Sequence, residues 1–330
     1  MPPSETPGDA SSPASAARPA GDSGPDRPGT ALVPSPSWSV TWWGHATATI
    51  EVGGRRVLVD PLGRARARAG AAGGVDAVLI THAHVDHLNR WSLKALDRDT
   101  HLIVPRGAAP IVRDLGFARL TEVQPGDHLD LGGLDVIAVP TRHDPGRWRK
   151  GETTACAGYV VARGGAAVHH AGDVDFSDHA VFDDLGRQFR LDATLLPIGG
   201  MLPVWYYRWR RAALDRGVHI DPDAALAIAE RLGAGAMIPV HWGTLNLRLG
   251  PPSMPRRRLV KVAASRGLDR LVRVLAHGQS LTGAVGAHAG SQVVRDAADQ
   301  AHHADRQPDV RAEDPVAHHR VGAVLGERAP

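Results

Sequence analysis

The sequence predicts an α/β or α+β sandwich, and three features point there. Short apolar runs bounded by Gly and Asp recur from Trp38 onward, the pattern of strands in hairpin-like groups. Ala77–Thr81 is instead continuously apolar, as expected of a strand buried on both faces. The helical patterns between the strands are few and short, so both element types share one core.

Taken in order, Ser39–Trp43, Thr47–Val52 and Arg56–Asp60 read as successive strands. The last two are joined by Gly53-Gly54, a hairpin dipeptide. After Ala77–Thr81 a helix is expected over roughly Leu88–Leu96, with Leu88, Trp91, Ala95 and Leu96 on one stripe. Leu102–Val104, Glu122–Val123, Leu134–Val139, Gly158–Val161 and Ala167–His170 continue the strand series. Asp221-Pro222 offers a helix start, an N-cap followed by proline, leading into Ala224–Leu232. Gly233 or Gly235 ends that helix, and Met237–Val240 is a last buried strand.

Both ends differ from this pattern. Residues 1–36 hold nine of the 25 prolines among Ala, Ser, Gly and Asp, with almost no large apolar side chain. Such a segment cannot offset its chain entropy by burial and is expected to be disordered. Residues 288–330 are polar, carry the pairs His302-His303 and His318-His319, and are expected to form a second disordered tail. Residues 37–287 remain, enough for one large domain with a full core.

Several function classes are excluded by composition. No run of about 18 apolar residues suggests a membrane span, and the N-terminus lacks the basic and apolar stretches of a secretory signal. A cytoplasmic location is the expectation. The single cysteine, Cys156, excludes a disulfide scaffold or a multi-cysteine metal site. A formal charge of +3 is too small to argue for nucleic acid, and no such partner is expected.

The chemistry concentrates in His82-Ala83-His84-Val85-Asp86-His87, directly after Thr81. Four potential ligands fall within six positions at a strand-to-helix turn, where side chains can converge. Clustered imidazoles and carboxylates at the end of a buried strand are costly without partners. His82 and His84 can serve one metal while Asp86 and His87 face a second, and such donors suit zinc, iron or manganese. Three later polar residues also follow apolar strands: His143 after Asp135–Pro140, Asp173 after Ala166–His170, and His241 after Met237–Val240. Singly each is better explained as an ordinary loop residue. Together they complete seven ligands, enough for two metals with open positions.

These residues resemble the metallo-β-lactamase fold superfamily, whose signature is the His-x-His-x-Asp-His run. Within it the sequence is similar to the branch containing N-acyl-phosphatidylethanolamine phospholipase D and the ascorbate-phosphate lactonases. The branch features are Trp42-Trp43-Gly44-His45-Ala46-Thr47, Leu58-Val59-Asp60-Pro61, Gly172-Asp173, His219-Ile220-Asp221-Pro222-Asp223-Ala224, His241-Trp242-Gly243-Thr244 and His277-Gly278-Gln279-Ser280. They span about Ser37 to Thr282 and leave both tails unmatched. The resemblance implies a four-layer αβ/βα sandwich with two divalent cations at one edge between the sheets. It assigns His82, His84 and His143 to one ion, Asp86, His87 and His241 to the other, and Asp173 to both. One departure stands out: after Gly172-Asp173 the branch continues with Thr and then Gly-Tyr or Ala-Tyr, whereas this chain has Val174-Asp175-Phe176.

The implied activity is that of a dinuclear metal-dependent hydrolase. Zinc is the first expectation, with Mn2+ or Fe2+ as alternatives. Water shared by two such ions loses a proton near neutral pH, and the hydroxide attacks a phosphodiester in the manner of a phospholipase D. A lactonase or carboxylic-ester hydrolase and a non-catalytic metal-binding module are the alternatives. Asp86 is expected both to ligate and to orient or deprotonate the water. Asp60, before Pro61, is a candidate to fix a ligand imidazole's tautomer, or a plain strand-end turn residue. His45 and His219 are candidates for substrate contact or leaving-group protonation. His169 and His170 are expected to be structural, one in the core and one at a packed edge, and Cys156 a small buried filler. Two basic aromatic segments, Arg147-Trp148-Arg149-Lys150 and Trp205-Tyr206-Tyr207-Arg208-Trp209-Arg210-Arg211, suit a small anionic ester or a phospholipid-like substrate. Arg208 and Arg210 are the expected anion contacts. Peripheral membrane contact through this loop and a merely solvated charged face are the other readings.

Overall fold

The computed structural model describes residues 38–143, 154–175, 179–200, 219–244, 251–284 and 292–294. In chain order the elements are β1 (Trp38–Gly44), β2 (Thr47–Val52), β3 (Arg55–Val59), α1 (Arg64–Ala71), β4 (Ala77–Leu79), α2 (Arg90–Leu93), β5 (His101–Pro105), α3 (Ala109–Val112), β6 (Arg119–Val123), β7 (His128–Asp130) and β8 (Asp135–Val139). There follow β9 (Gly158–Arg163), β10 (Ala166–His170), α4 (Ala180–Gln188), β11 (Ala193–Pro197), α5 (Pro222–Arg231), β12 (Met237–Val240), α6 (Met254–Ser265), β13 (Gln279–Gly283) and β14 (Gln292–Val294).

Alternation along β1 sets the first sheet. Trp38, Val40 and Trp42 are buried on one face while Ser39, Thr41 and Trp43 are half-buried on the other. Gly53 and Gly54 both take positive φ, 56° and 78°, which the tight β2–β3 hairpin requires. Val52 consequently pairs with Arg55 and Ala48 with Val59. From β3 the sheet continues in parallel through β4, β5 and β6, giving the order β14-β13-β1-β2-β3-β4-β5-β6. The second sheet runs β12-β11-β10-β9-β8-β7. Its members are antiparallel from β7 to β10 and parallel from β10 to β12.

The two sheets face each other across one core. Trp42, Ile50, Val57 and Ile103 from the first meet Val136, Tyr159, Val168 and Ile238 from the second. The outer face of the first sheet, with Leu58, Val78 and Leu102, is covered by Ala67, Leu93 and Val112 of the first three helices. The outer face of the second, with Val160 and Leu196, is covered by Phe182, Leu226 and Leu259 of the last three. Helix, sheet, sheet and helix form four layers, as expected. No helix among the described residues is long and apolar enough to cross a membrane.

Three expectations are corrected. The helix expected over Leu88–Leu96 is the single turn α2, because His87 and Leu88 hydrogen-bond back to His84 O and residues 84–89 form a turn rather than a helix. Trp91 is 59% exposed, with Arg64 5.4 Å from its ring, so it leaves the core stripe that Leu88 and Leu96 keep. Within the expected C-terminal tail, Gln292–Val294 pairs with β13 and so extends the sheet edge.

Candidate metal centre

Every strand end flagged in the sequence delivers its polar residue to the same edge of the sandwich. His45 follows β1, Asp60 follows β3, the His82–His87 turn follows β4, and His143, Asp173 and His241 follow β8, β10 and β12. Asp173 Oδ2 lies at the middle. It is 3.3 Å from His87 Nε2, 3.3 Å from His241 Nε2, 3.5 Å from His219 Nδ1, 3.7 Å from His82 Nε2 and 3.8 Å from His143 Nε2. Asp86 Oδ2 stands 3.0 Å from His45 Nε2 and 3.5 Å from His241 Nε2. His84 Nδ1 faces His143 Nε2 at 3.1 Å. Two four-donor groups result, His82/His84/His143/Asp173 and His45/Asp86/His87/His241, each with donor atoms within 4.8 Å of one another. His143/Asp175/His219 and Asp173/His219/His241 form two smaller groups.

The backbone is bent to achieve this. His45, Asp60 and His241 have φ of 53°, 44° and 58°, and no other described non-glycine residue is positive. Such conformations cost energy and persist only where the surroundings enforce them. Here the His241 N–H donates to His45 O at 2.8 Å, and the Trp42 indole N–H donates to the same carbonyl at 2.9 Å. Gly172 takes φ 66°, and a Cβ there would lie 2.8 Å from Thr81 Cβ, so the Asp173 turn rests directly on the strand end before His82. His170 is fully buried and ties the same parts together: its Nδ1 accepts the Gly172 N–H at 3.1 Å, and its Nε2 donates to Ala46 O at 2.9 Å.

A ring of acceptors fixes which imidazole nitrogen is bare. His87 Nδ1 donates to Asp60 Oδ2 at 2.8 Å, and His143 Nδ1 donates to Asp175 Oδ1 at 2.9 Å. The Thr81 hydroxyl donates to Asp60 Oδ2 at 2.6 Å, so its oxygen accepts from His82 Nδ1 at 3.0 Å. In each ring the N–H points outward and Nε2 presents its lone pair to the centre. The buried His82 Nε2, His87 Nε2, His241 Nε2, His219 Nδ1 and Asp173 Oδ1 have no hydrogen-bond partner. Each such group costs about 1–3 kcal/mol when left unpaired. Four imidazole nitrogens and a carboxylate oxygen that converge without hydrogen-bond partners fit a metal cation, and the nitrogen-and-carboxylate set fits it chemically.

Electrostatics agree with that fit. Burial opposes charge on Asp173, yet His241, His87 and His219 hold its carboxyl well below the usual range. Burial likewise opposes charge on Asp86, and His87, the adjacent His241 and the hydrogen bond from His45 override it. Burial keeps His82 and His241 neutral, as ligation demands, and lowers His219 to about 4. His87 is the exception: burial is outweighed by Asp173, Asp60 and Asp86, which raise it. The carboxylates around it call for positive charge.

Residues 55–242, the stretch carrying all these donors except His45, match the family described as the Beta-lactamase superfamily domain. The chain belongs to the metallo-β-lactamase superfamily. An uncharacterized protein of Mycobacterium tuberculosis is 30% identical over 249 residues, covering 68% of this chain and 64% of the relative. This chain therefore spans less than two thirds of that relative's length. The UPF0173 metal-dependent hydrolase of Methanopyrus kandleri is 27% identical over 247 residues, 73% of this chain and 98% of its own. The solved structure of Igni18, a metallo hydrolase from Ignicoccus hospitalis, shares the superfamily fold at TM-score 0.56 and 24% identity, covering 74% of this chain and 97% of that one.

The structure thus brings together His82, His84, Asp86, His87, His143, Asp173 and His241 with Asp60, His45 and His219. Arg208, Arg210 and the Arg147–Lys150 segment lie outside the described residues. Both His169 and His170 are fully buried, so neither sits at an edge, and Cys156 is only half-buried. Four contributors were not anticipated: Asp175, Thr81, His170, and Thr244, whose Oγ1 lies 3.0 Å from His45 Nδ1.

Proposed function

We propose that this protein is a dinuclear metal-dependent hydrolase of anionic esters, with a phosphodiester of the phospholipid type as its first substrate class. The observation that carries the reading is the approach of five imidazole nitrogens to one buried carboxylate oxygen, Asp173 Oδ2. His82, His84 and His143 would hold one ion, Asp86, His87 and His241 the other, and Asp173 both. Zinc suits this set best, with manganese or iron(II) as alternatives. When bound, two such ions supply Lewis acidity and bring the pKa of water toward neutrality.

The chain's own residues do the rest. Asp60, Thr81 and Asp175 keep the ligand imidazoles in the tautomer that bares Nε2. Asp86, held ionised, orients the attacking water by accepting a hydrogen bond from it, and His45 steadies the carboxylate at Oδ2. His219, 22% exposed, turns a partnerless Nδ1 toward Asp173 and contacts a substrate oxygen or its leaving group. The names of the Methanopyrus and Ignicoccus relatives support hydrolysis. The phospholipase-like motifs support the phosphodiester, as do the Arg-rich segments that begin just after His143 and end shortly before His219.

The test is metal analysis of the purified protein with bis-p-nitrophenyl phosphate and a lactone as substrates, before and after chelation. Two metal equivalents and chelator-sensitive phosphodiester cleavage are expected. Cleavage of the lactone alone moves the substrate to the carboxylic-ester class. Tightly held metal without turnover of either overturns the hydrolase in favour of a binding module.

A further inference from the structure

Beside the metal centre, a cavity of about 380 Å³ opens between the end of β1 and the start of α6. Its walls are the indoles of Trp42 and Trp242, stacked at 5.1 Å and 19° between planes, with Leu275, His277 and Gln279. Arg256 is the one charged residue on the wall. The cavity is joined to the centre through its walls: Trp242 directly follows His241, and Trp42 holds the carbonyl of His45.

The chemistry of the walls selects a ligand. The Trp242 N–H is engaged by Pro239 O and the Trp42 N–H by His45 O, so the half-buried Trp242 offers apolar ring surface, backed by the buried Trp42. A flat hydrophobic group gains most from such surface. The Gln279 side-chain oxygen is occupied by the Ala276 N–H, which leaves its amide as a donor. Burial, and after it the charge of Arg66, lowers His277, so at neutral pH it adds no second charge to the wall. Arg256 forms no ion pair among the described residues, and no acid lines the cavity. A guanidinium without a counter-charge beside an aromatic wall fits an anionic group carried on a flat apolar one.

We infer that this cavity binds the non-reacting part of the substrate, a flat hydrophobic group bearing an anionic charge that Arg256 meets. The inference rests on the hydrolase reading for the word substrate, but the binding itself does not.

The test is a tryptophan-fluorescence titration of the full chain with 2-naphthalenesulfonate, 2-naphthalenesulfonamide and methanesulfonate. The aryl sulfonate should bind at least about tenfold more tightly than methanesulfonate. Arg256→Gln, an exposed substitution, should weaken the aryl sulfonate about fivefold and leave the neutral sulfonamide unchanged. Trp242→Leu should remove the preference for the aryl probe. Equal affinity for aryl and methyl sulfonates, or indifference to Arg256→Gln, overturns the site. Where ester turnover is measured, the aryl sulfonate should compete with substrate, and non-competitive inhibition overturns its assignment to the substrate. Arg256-dependent binding in a protein that hydrolyses no ester would leave the pocket standing and reject the hydrolase.

Discussion

Asp60 accepts a 2.8 Å hydrogen bond from His87 Nδ1, and both residues are fully buried. Through the same Oδ2 it also accepts the Thr81 hydroxyl, which in turn holds His82. One carboxylate therefore sets the tautomer of an imidazole in each of the two four-donor groups. Asp60→Asn should lower affinity for both ions about 10- to 100-fold, read by titration against a competing chelator. Loss at the His87 half alone would show that the Thr81 link carries nothing.

Asp86→Asn separates ligation from catalysis. The amide retains an oxygen donor but loses the negative charge that orients the water, so turnover should fall at least about 100-fold with metal content nearly preserved. Parallel losses of metal and activity would remove the separate role.

His170 offers a test of how the edge is tied together. His170→Leu leaves the Gly172 N–H and the Ala46 carbonyl buried and unpaired, at about 1–3 kcal/mol each. Melting temperature should drop and metal affinity with it, whereas His170→Gln should recover part of both. Unchanged metal affinity in a destabilised His170→Leu would confine the residue to plain core packing.

Stability should also respond to His169. Burial, and then its neighbour His170, lower this imidazole to about 3 from an ordinary 6.5. Being neutral when folded and protonated when unfolded, it stabilises fully above about pH 6.5 and loses that contribution as pH falls toward 3. At pH 5 the loss is about 2 kcal/mol. Replacing His169 by Gln should therefore narrow the stability gap to the parent protein between pH 7 and pH 5, in urea unfolding. A gap that stays constant would refute the burial argument.

The centre was legible because its donors stand where apolar runs stop: Thr81 precedes His82, Val240 precedes His241, and Pro61 marks Asp60. Asp175 was not, since its bond to His143 spans 32 residues and depends on the bridge that pairs it with His219. Among the elements, α1 went unread because its buried face is only Ala67 and Gly70, with arginines between. In α6, Leu259, Val262 and Ala263 make a stripe too short to rise above three arginines in a row. The edge strand β7 has three residues and no buried one. The helix expected at Leu88 failed for a different reason: gathering the ligands consumed the residues that would have begun it.

The left-handed backbones of His45, Asp60 and His241 carry a consequence for laboratory evolution. Glycine at Asp60 or His45 would strip buried hydrogen bonds. At His241, whose Nε2 has no hydrogen-bond partner, it would relax the main chain by about 1 kcal/mol, so a screen that rewards heat resistance alone is drawn to that position. Variants recovered that way would outlast their parent and do no chemistry.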